Sequence, residues 1–138
     1  ALDAFALHEK DGWNIDREFA VFCMNHDINI PEAKQRAEKQ YKVRPDNIDA
    51  LDTYSWALYK AGNTNDAVPL IEKALAVKSL NASFHYHAGM IYAKVGNKEK
   101  AISELKTALT ENPYLTPLTV ASATAELSSL DNKTADAR

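Results

Sequence analysis

The chain has one cysteine, Cys23, among 138 residues, with only four glycines and five prolines. A lone cysteine excludes an internal disulfide and a thiolate cluster for a metal, and its neighbours Phe22 and Met24 mark it as a small buried thiol rather than a reactive one. No run of about 18 apolar residues occurs, so no segment reads as a transmembrane helix. No basic head followed by an apolar stretch and a cleavage site opens the chain. An excess of positive charge is missing too: 16 Lys and Arg stand against 19 Asp and Glu, a formal net charge of -3. That leaves no basic stripe for phosphates and no polybasic segment for an anionic surface, so neither nucleic acid nor membrane insertion is expected. The start on Ala1 reads as a processed product or a piece cut from something larger, which leaves the compartment open between cytoplasm and export.

Signatures of chemistry are equally scarce. There is no Ser-His-Asp arrangement, HExxH, phosphate loop or glycine-rich dinucleotide turn. His85 and His87 stand two residues apart and would point about 200° around a helix, which spoils them as a metal pair or an acid-base couple. His85 is expected to be structural. Asn81-Ala82-Ser83 and Asn132-Lys133-Thr134 match a glycosylation pattern too short to carry weight without a known compartment. The expectation is a non-enzymatic chain with no cofactor and no metal.

What is present is periodicity. Gly12, Pro31, Pro45, Gly62, Asn81, Gly96 and Pro113 cut the chain into apolar-periodic stretches of roughly 12 to 16 residues, the length of ordinary helices. No stretch alternates with period two and β-branched enrichment, so the class is all-α. Leu58, Gly62, Asn63, Ala67, Ala74 and Leu75 recur as Tyr92, Gly96, Asn97, Ala101, Ala108 and Leu109, a period of about 34 residues.

Each period reads as two antiparallel helices. After Pro45, Asp46 or Asn47 offers an N-cap, and Leu51, Tyr54, Ser55 and Leu58 line one helix face. Gly62 and Asn63 turn the chain, and Ala67, Val68, Ile71, Ala74 and Leu75 return, the alanines permitting close axes. Pro69 conflicts locally with a helix capped at Thr64, and a later start or a slight bend is the expected remedy. The next period uses Asn81 as cap, His85, Ala88, Gly89 and Tyr92 inward, Gly96 and Asn97 as turn, and Ala101, Ile102, Leu105, Ala108 and Leu109 on the return.

These residues resemble the tetratricopeptide repeat family. His85, Ala88, Gly89, Tyr92, Gly96, Ala101, Leu105, Ala108 and Pro113 stand at its pattern positions, and Leu51, Tyr54, Ser55, Leu58, Gly62, Ala67, Ile71, Ala74 and Ser79 do so less closely. The resemblance implies a right-handed α-solenoid of antiparallel hairpins in one domain, 1–130. It divides into a divergent hairpin at 14–46, repeats at 47–80 and 81–114 and a capping helix at about 117–130, and a disordered tail at 131–138 is expected to follow it. In the divergent hairpin, Asp16 to Asn25 form the first helix, Ala33, Ala37 and Pro45 match the second, and the loop from His26 to Glu32 replaces the glycine turn with one extra residue. Residues 2 to 11 read as a helix of an earlier unit.

The resemblance also implies a binding scaffold whose first helices line a concave groove for a peptide or helix of a partner protein. Its groove positions fall on Asp49, Asp52, Trp56, Tyr59 and Lys60, then on Ser83, Tyr86, His87, Met90 and Lys94, with Glu18 and Phe22 as counterparts in the divergent hairpin. The residues point the same way: Trp56, Tyr59, Tyr86 and Met90 lie off the core stripe and need another surface. The competing reading packs them against the neighbouring repeat. The chaperone-binding members clamp a terminal carboxylate with lysine, asparagine and arginine, but the corresponding positions here hold Asp52, Thr53, Trp56, Tyr86, His87 and Met90, so no such clamp is expected. Two alternatives stay open: an assembly segment of a longer array that associates with a second copy of itself, and an accessory region of a larger enzyme.

Overall fold

The structure is a computed structural model, and it describes residues 2–10, 14–77, 81–111 and 115–136. Gly12, Ser79 and Pro113, three of the expected pattern or breaker residues, lie outside the described set. The described residues form helices α1 (Leu2–Lys10), α2 (Asp16–Asn25), α3 (Ile30–Val43), α4 (Ile48–Lys60), α5 (Thr64–Leu75), α6 (Ala82–Lys94), α7 (Lys98–Thr110) and α8 (Pro117–Asp136). No strand occurs among them.

Local chemistry explains the boundaries. The side chains of Asn47, Asn81 and Asn97 accept from the N–H groups of Ala50, Ser83 and Lys100, each covering a donor that the first turn leaves orphaned. Gly62 and Gly96 both sit at φ +87°. There, Asn63 N–H reaches Leu58 O at 2.8 Å and Asn97 N–H reaches Tyr92 O at 2.9 Å, the six-to-one closure that ends a helix on a left-handed residue. The α2–α3 turn closes in the same way without glycine: Asp27 takes φ 52° and Ile28 N–H bonds Cys23 O at 3.0 Å. One extra residue then follows, Asn29 at φ 48°, before α3 begins.

Two expectations are corrected. α5 starts at Thr64 and runs through Pro69 without the later start, because Pro69 lies on its exposed face and costs only one backbone bond. α8 continues past Leu130 to Asp136, so residues 131–136 are helical rather than a disordered tail.

The helices pair as hairpins α2–α3, α4–α5 and α6–α7, and the first helices α2, α4, α6 and α8 touch one another in succession. Small residues set the spacing: Ala33, Ala37, Ala67, Ala74, Ala88, Ala101 and Ala108 are fully buried, with Ile71, Ile91 and Leu105 filling the gaps between them. Full burial of each such large side chain contributes about 1.5–3 kcal/mol. At Gly89 a Cβ would stand 2.6 Å from Leu105 Cγ, so glycine is what lets α6 lie against α7. Cys23 is fully buried, and burial pushes its thiol pKa up, as expected for an inert cysteine. α1 is held through Phe5, which meets Phe19 and Phe22 edgewise or tilted, and through Glu9, which pairs with Arg36.

Candidate functional site

The row of first helices places most of the expected groove residues in one cluster. Trp56 on α4 is the centre, with the Tyr59 ring parallel to it at 4.6 Å and the His87 ring at 4.2 Å, tilted by only 20°. Tyr86 leans on the same indole at 5.7 Å. Tyr59 lies one turn along α4 from Trp56, whereas Tyr86 and His87 come from α6, so the cluster forms only when two repeats stack. Met90 packs against both neighbouring cores.

Asp52 fixes this arrangement. Its carboxylate lies 2.8 Å from His87 Nδ1, with the two side chains only 9% and 17% exposed. Taking a carboxylate out of water is unfavourable without a partner, and the imidazole one repeat away supplies one. Lys60 extends the cluster toward α2, bonding Asp27 at 2.8 Å while its ammonium lies 5.4 Å from the Trp56 ring.

Exposure divides the expected groove residues. Trp56 and Asp52 are each 6% exposed, so both belong to the seam between repeats, and Trp56 is not surplus to the core. Tyr59, Lys60, Tyr86, His87 and Met90 are half-buried and present one edge outward. Asp49 and Lys94 are exposed at opposite ends of their helices and take no part in the ring contacts. In the first hairpin Glu18 is exposed and Phe22 is half-buried between Phe5 and His26.

Two contributors were missed in the sequence. Ser122 on α8 hydrogen-bonds with Tyr86, and the Glu126 charge reaches both Tyr59 and Tyr86. Burial raises the pKa of both phenols, and the nearby carboxylates of Glu126 and Asp27 raise them further. Both tyrosines therefore stay neutral hydrogen-bonding groups at physiological pH. The repeat pattern ends at Pro113 and assigns no groove register to α8, so neither Ser122 nor Glu126 was singled out in the sequence.

His85 points the other way on α6, its Nδ1 2.6 Å from Glu104 on α7, as expected of a structural histidine. No group of three metal-ligating side chains occurs among the described residues, and none of the described helices is long and apolar enough to cross a membrane.

Stacked antiparallel hairpins with their first helices side by side define a helical-repeat solenoid. Residues 82–114 match the family described as Tetratricopeptide repeat, and the chain folds as a tetratricopeptide-repeat solenoid. Solved structures agree in fold. MamA (41-end) from Desulfovibrio magneticus RS-1 superposes with a TM-score of 0.68 at 20% identity over 88% of this chain. This chain spans 65% of that one, just under two thirds. The first TPR domain of human RPAP3 gives 0.70 at 16% identity, covering 88% of this chain and 91% of its own. PcrH, solved in complex with the chaperone binding region of PopD, gives 0.68 at 12% identity, covering 91% and 95%. No curated protein sequence matches the chain significantly.

Proposed function

We propose that this chain is a non-enzymatic scaffold that holds a peptide or helix of a partner protein on the face formed by α2, α4, α6 and α8. The observation that carries the reading is the half-buried edge of Tyr59, Tyr86 and Met90 above a rigid platform of Trp56, His87 and Asp52. Aromatic rings already fixed by packing lose little entropy on binding, and tyrosine adds a hydrogen-bonding tip. Met90 adapts its shape to the ligand. Lys60, Lys94 and Asp49 form a charged rim, which sets orientation more than affinity. The carboxylate clamp of chaperone-binding relatives is not part of this reading, because Asp52 and the rings occupy its positions. The PcrH complex supports the reading in one respect: a similarly folded solenoid takes a segment of another protein.

Trp56 is a poor probe because its removal disturbs the seam itself. The test uses Tyr86→Ala with Met90→Ala, and separately Tyr59→Ala, each checked for unchanged helicity by circular dichroism. Loss of partner capture from lysate of the source cells supports the groove, and full capture by correctly folded variants overturns it. Self-association is the second reading, favoured by Leu2, Leu7 and Leu118, which lie exposed on the two terminal helices. Sedimentation at high concentration separates the two, since a clean monomer removes the assembly reading.

A further inference from the structure

A cavity of about 140 Å³ opens where α2 and α4 begin and α3 ends, walled by Arg17, Gln40, Arg44, Asn47, Asp49 and Thr53. A single water needs about 10–15 Å³ of such space, so the cavity has room for one small oxyanion together with several waters.

Its polar groups converge. Arg44 has no carboxylate partner among the described residues, and Arg17 has only Asp49 at 3.9 Å, beyond hydrogen-bond length. Thr53 is 4% exposed, lines the cavity, and has no side-chain hydrogen bond among the described residues. Its hydroxyl oxygen is not sealed from water, so a solvent molecule or an anion in the cavity can serve as its partner. Asn47 already spends its side chain on Ala50 N–H at 2.9 Å. The N–H groups of Ile48 and Asp49 remain as first-turn donors without an intrahelical acceptor. The Gln40 amide is held from behind by Asn14 Oδ1 at 3.2 Å and Asp16 Oδ2 at 3.1 Å, which fixes that wall.

We propose that this cavity binds a single oxyanion, a carboxylate or a phosphate group, between Arg17 and Arg44, with the Thr53 hydroxyl completing its hydrogen bonds. Asp49 is the built-in competitor: its carboxylate stands loosely by Arg17 until an anion takes that guanidinium. The role of the site as an anchor for a partner segment rests on the scaffold reading, but oxyanion binding itself needs no partner.

The test is a titration of the whole chain with sodium phosphate and, separately, sodium acetate at constant ionic strength, followed by NMR. Saturable shifts confined to the Arg17 and Arg44 Nε–H groups and the Ile48, Asp49 and Thr53 amides are expected. Whichever anion saturates first names the group. Arg44→Ala should weaken binding about ten-fold, the loss of one charge-assisted contact, and Asp49→Asn should tighten it several-fold. Linear shifts, or equal shifts at the first turns of α6 and α7, mean an adventitious ion only and overturn the site. Equal binding by Arg44→Ala overturns it as well. Because no partner protein is used, failure here is distinct from failure of the Tyr59 and Tyr86 variants.

Discussion

The α2–α3 and α6–α7 hairpins reach one geometry by different chemistry. In α6–α7, glycine makes the turn at φ +87°, Gly89 admits Leu105, and fully buried Ala88, Ala101 and Ala108 bring the axes together. In α2–α3, Asp27 makes the turn in a conformation that costs an ordinary residue about 1 kcal/mol or more. A polar clasp lies beside it: Asp16, 6% exposed, receives Arg36 at 3.4 Å and Lys39 at 3.3 Å, while Arg36 also pairs with Glu32 and stacks 4.1 Å over Phe19. What both share is the backbone closure after the first helix and fully buried alanines on the second. Those are the requirements of the hairpin, and the remaining pattern residues are one way of meeting them.

Breaking the seam that joins the two kinds of hairpin should have the largest effect. Trp56→Ala removes a buried indole and three ring contacts and is expected to cost about 3–5 kcal/mol in urea unfolding. A loss below about 1 kcal/mol would return Trp56 to the surface. Next come the hairpins themselves. Gly89→Val drives side-chain atoms into Leu105 and should cost about 2–3 kcal/mol whatever the salt. Asp16→Ala should cost about 1–2 kcal/mol, with the difference from wild type shrinking as salt rises, since Lys39 is largely exposed. Equal salt dependence of the two variants would remove the distinction between an apolar and a polar clasp.

Alkaline unfolding sharpens it further. In the regular part of the chain, burial and the neighbouring Glu72 hold the Tyr92 phenol pKa far above its ordinary value near 10. The folded state keeps that proton more tightly than the unfolded chain, so the stabilisation is complete below about pH 10 and falls as pH rises beyond it. Tyr92→Phe should cost about 1 kcal/mol at neutral pH by losing the bond to Glu72, and its melting temperature should fall less steeply above pH 10. The smallest effects are at the turns and should carry opposite signs. Gly96→Ala should lose about 1 kcal/mol, whereas Asp27→Gly should gain a few tenths once the lost Lys60 pair is set against relief at φ 52°.

Turns, caps and helix faces were legible because each depends on a few neighbouring residues. Asn47, Asn81, Gly62 and Gly96 carry their meaning within one helix turn, and the alanine rows reveal themselves by period. Much of the candidate site was legible as well: Asp52, Trp56, Tyr59, Lys60, Tyr86 and His87 do come together. Their burial was not. Whether a first-helix residue faces a groove or the next repeat depends on how far α6 swings against α4, an angle set by many contacts at once. The same angle brings Glu126 and Ser122 of α8 to the tyrosines, and it puts Asp52 against His87 rather than in solvent.

The amino-acid sequence by itself determined an all-α repeat: short-range rules of turn, cap and periodicity act within one hairpin and survive any change in how hairpins stack. Only the tertiary structure decided which aromatic residues are wall and which are surface. The free energy that buries Trp56 and pairs Asp52 with His87 comes from contacts between residues one repeat apart, and these exist only once the repeats have packed.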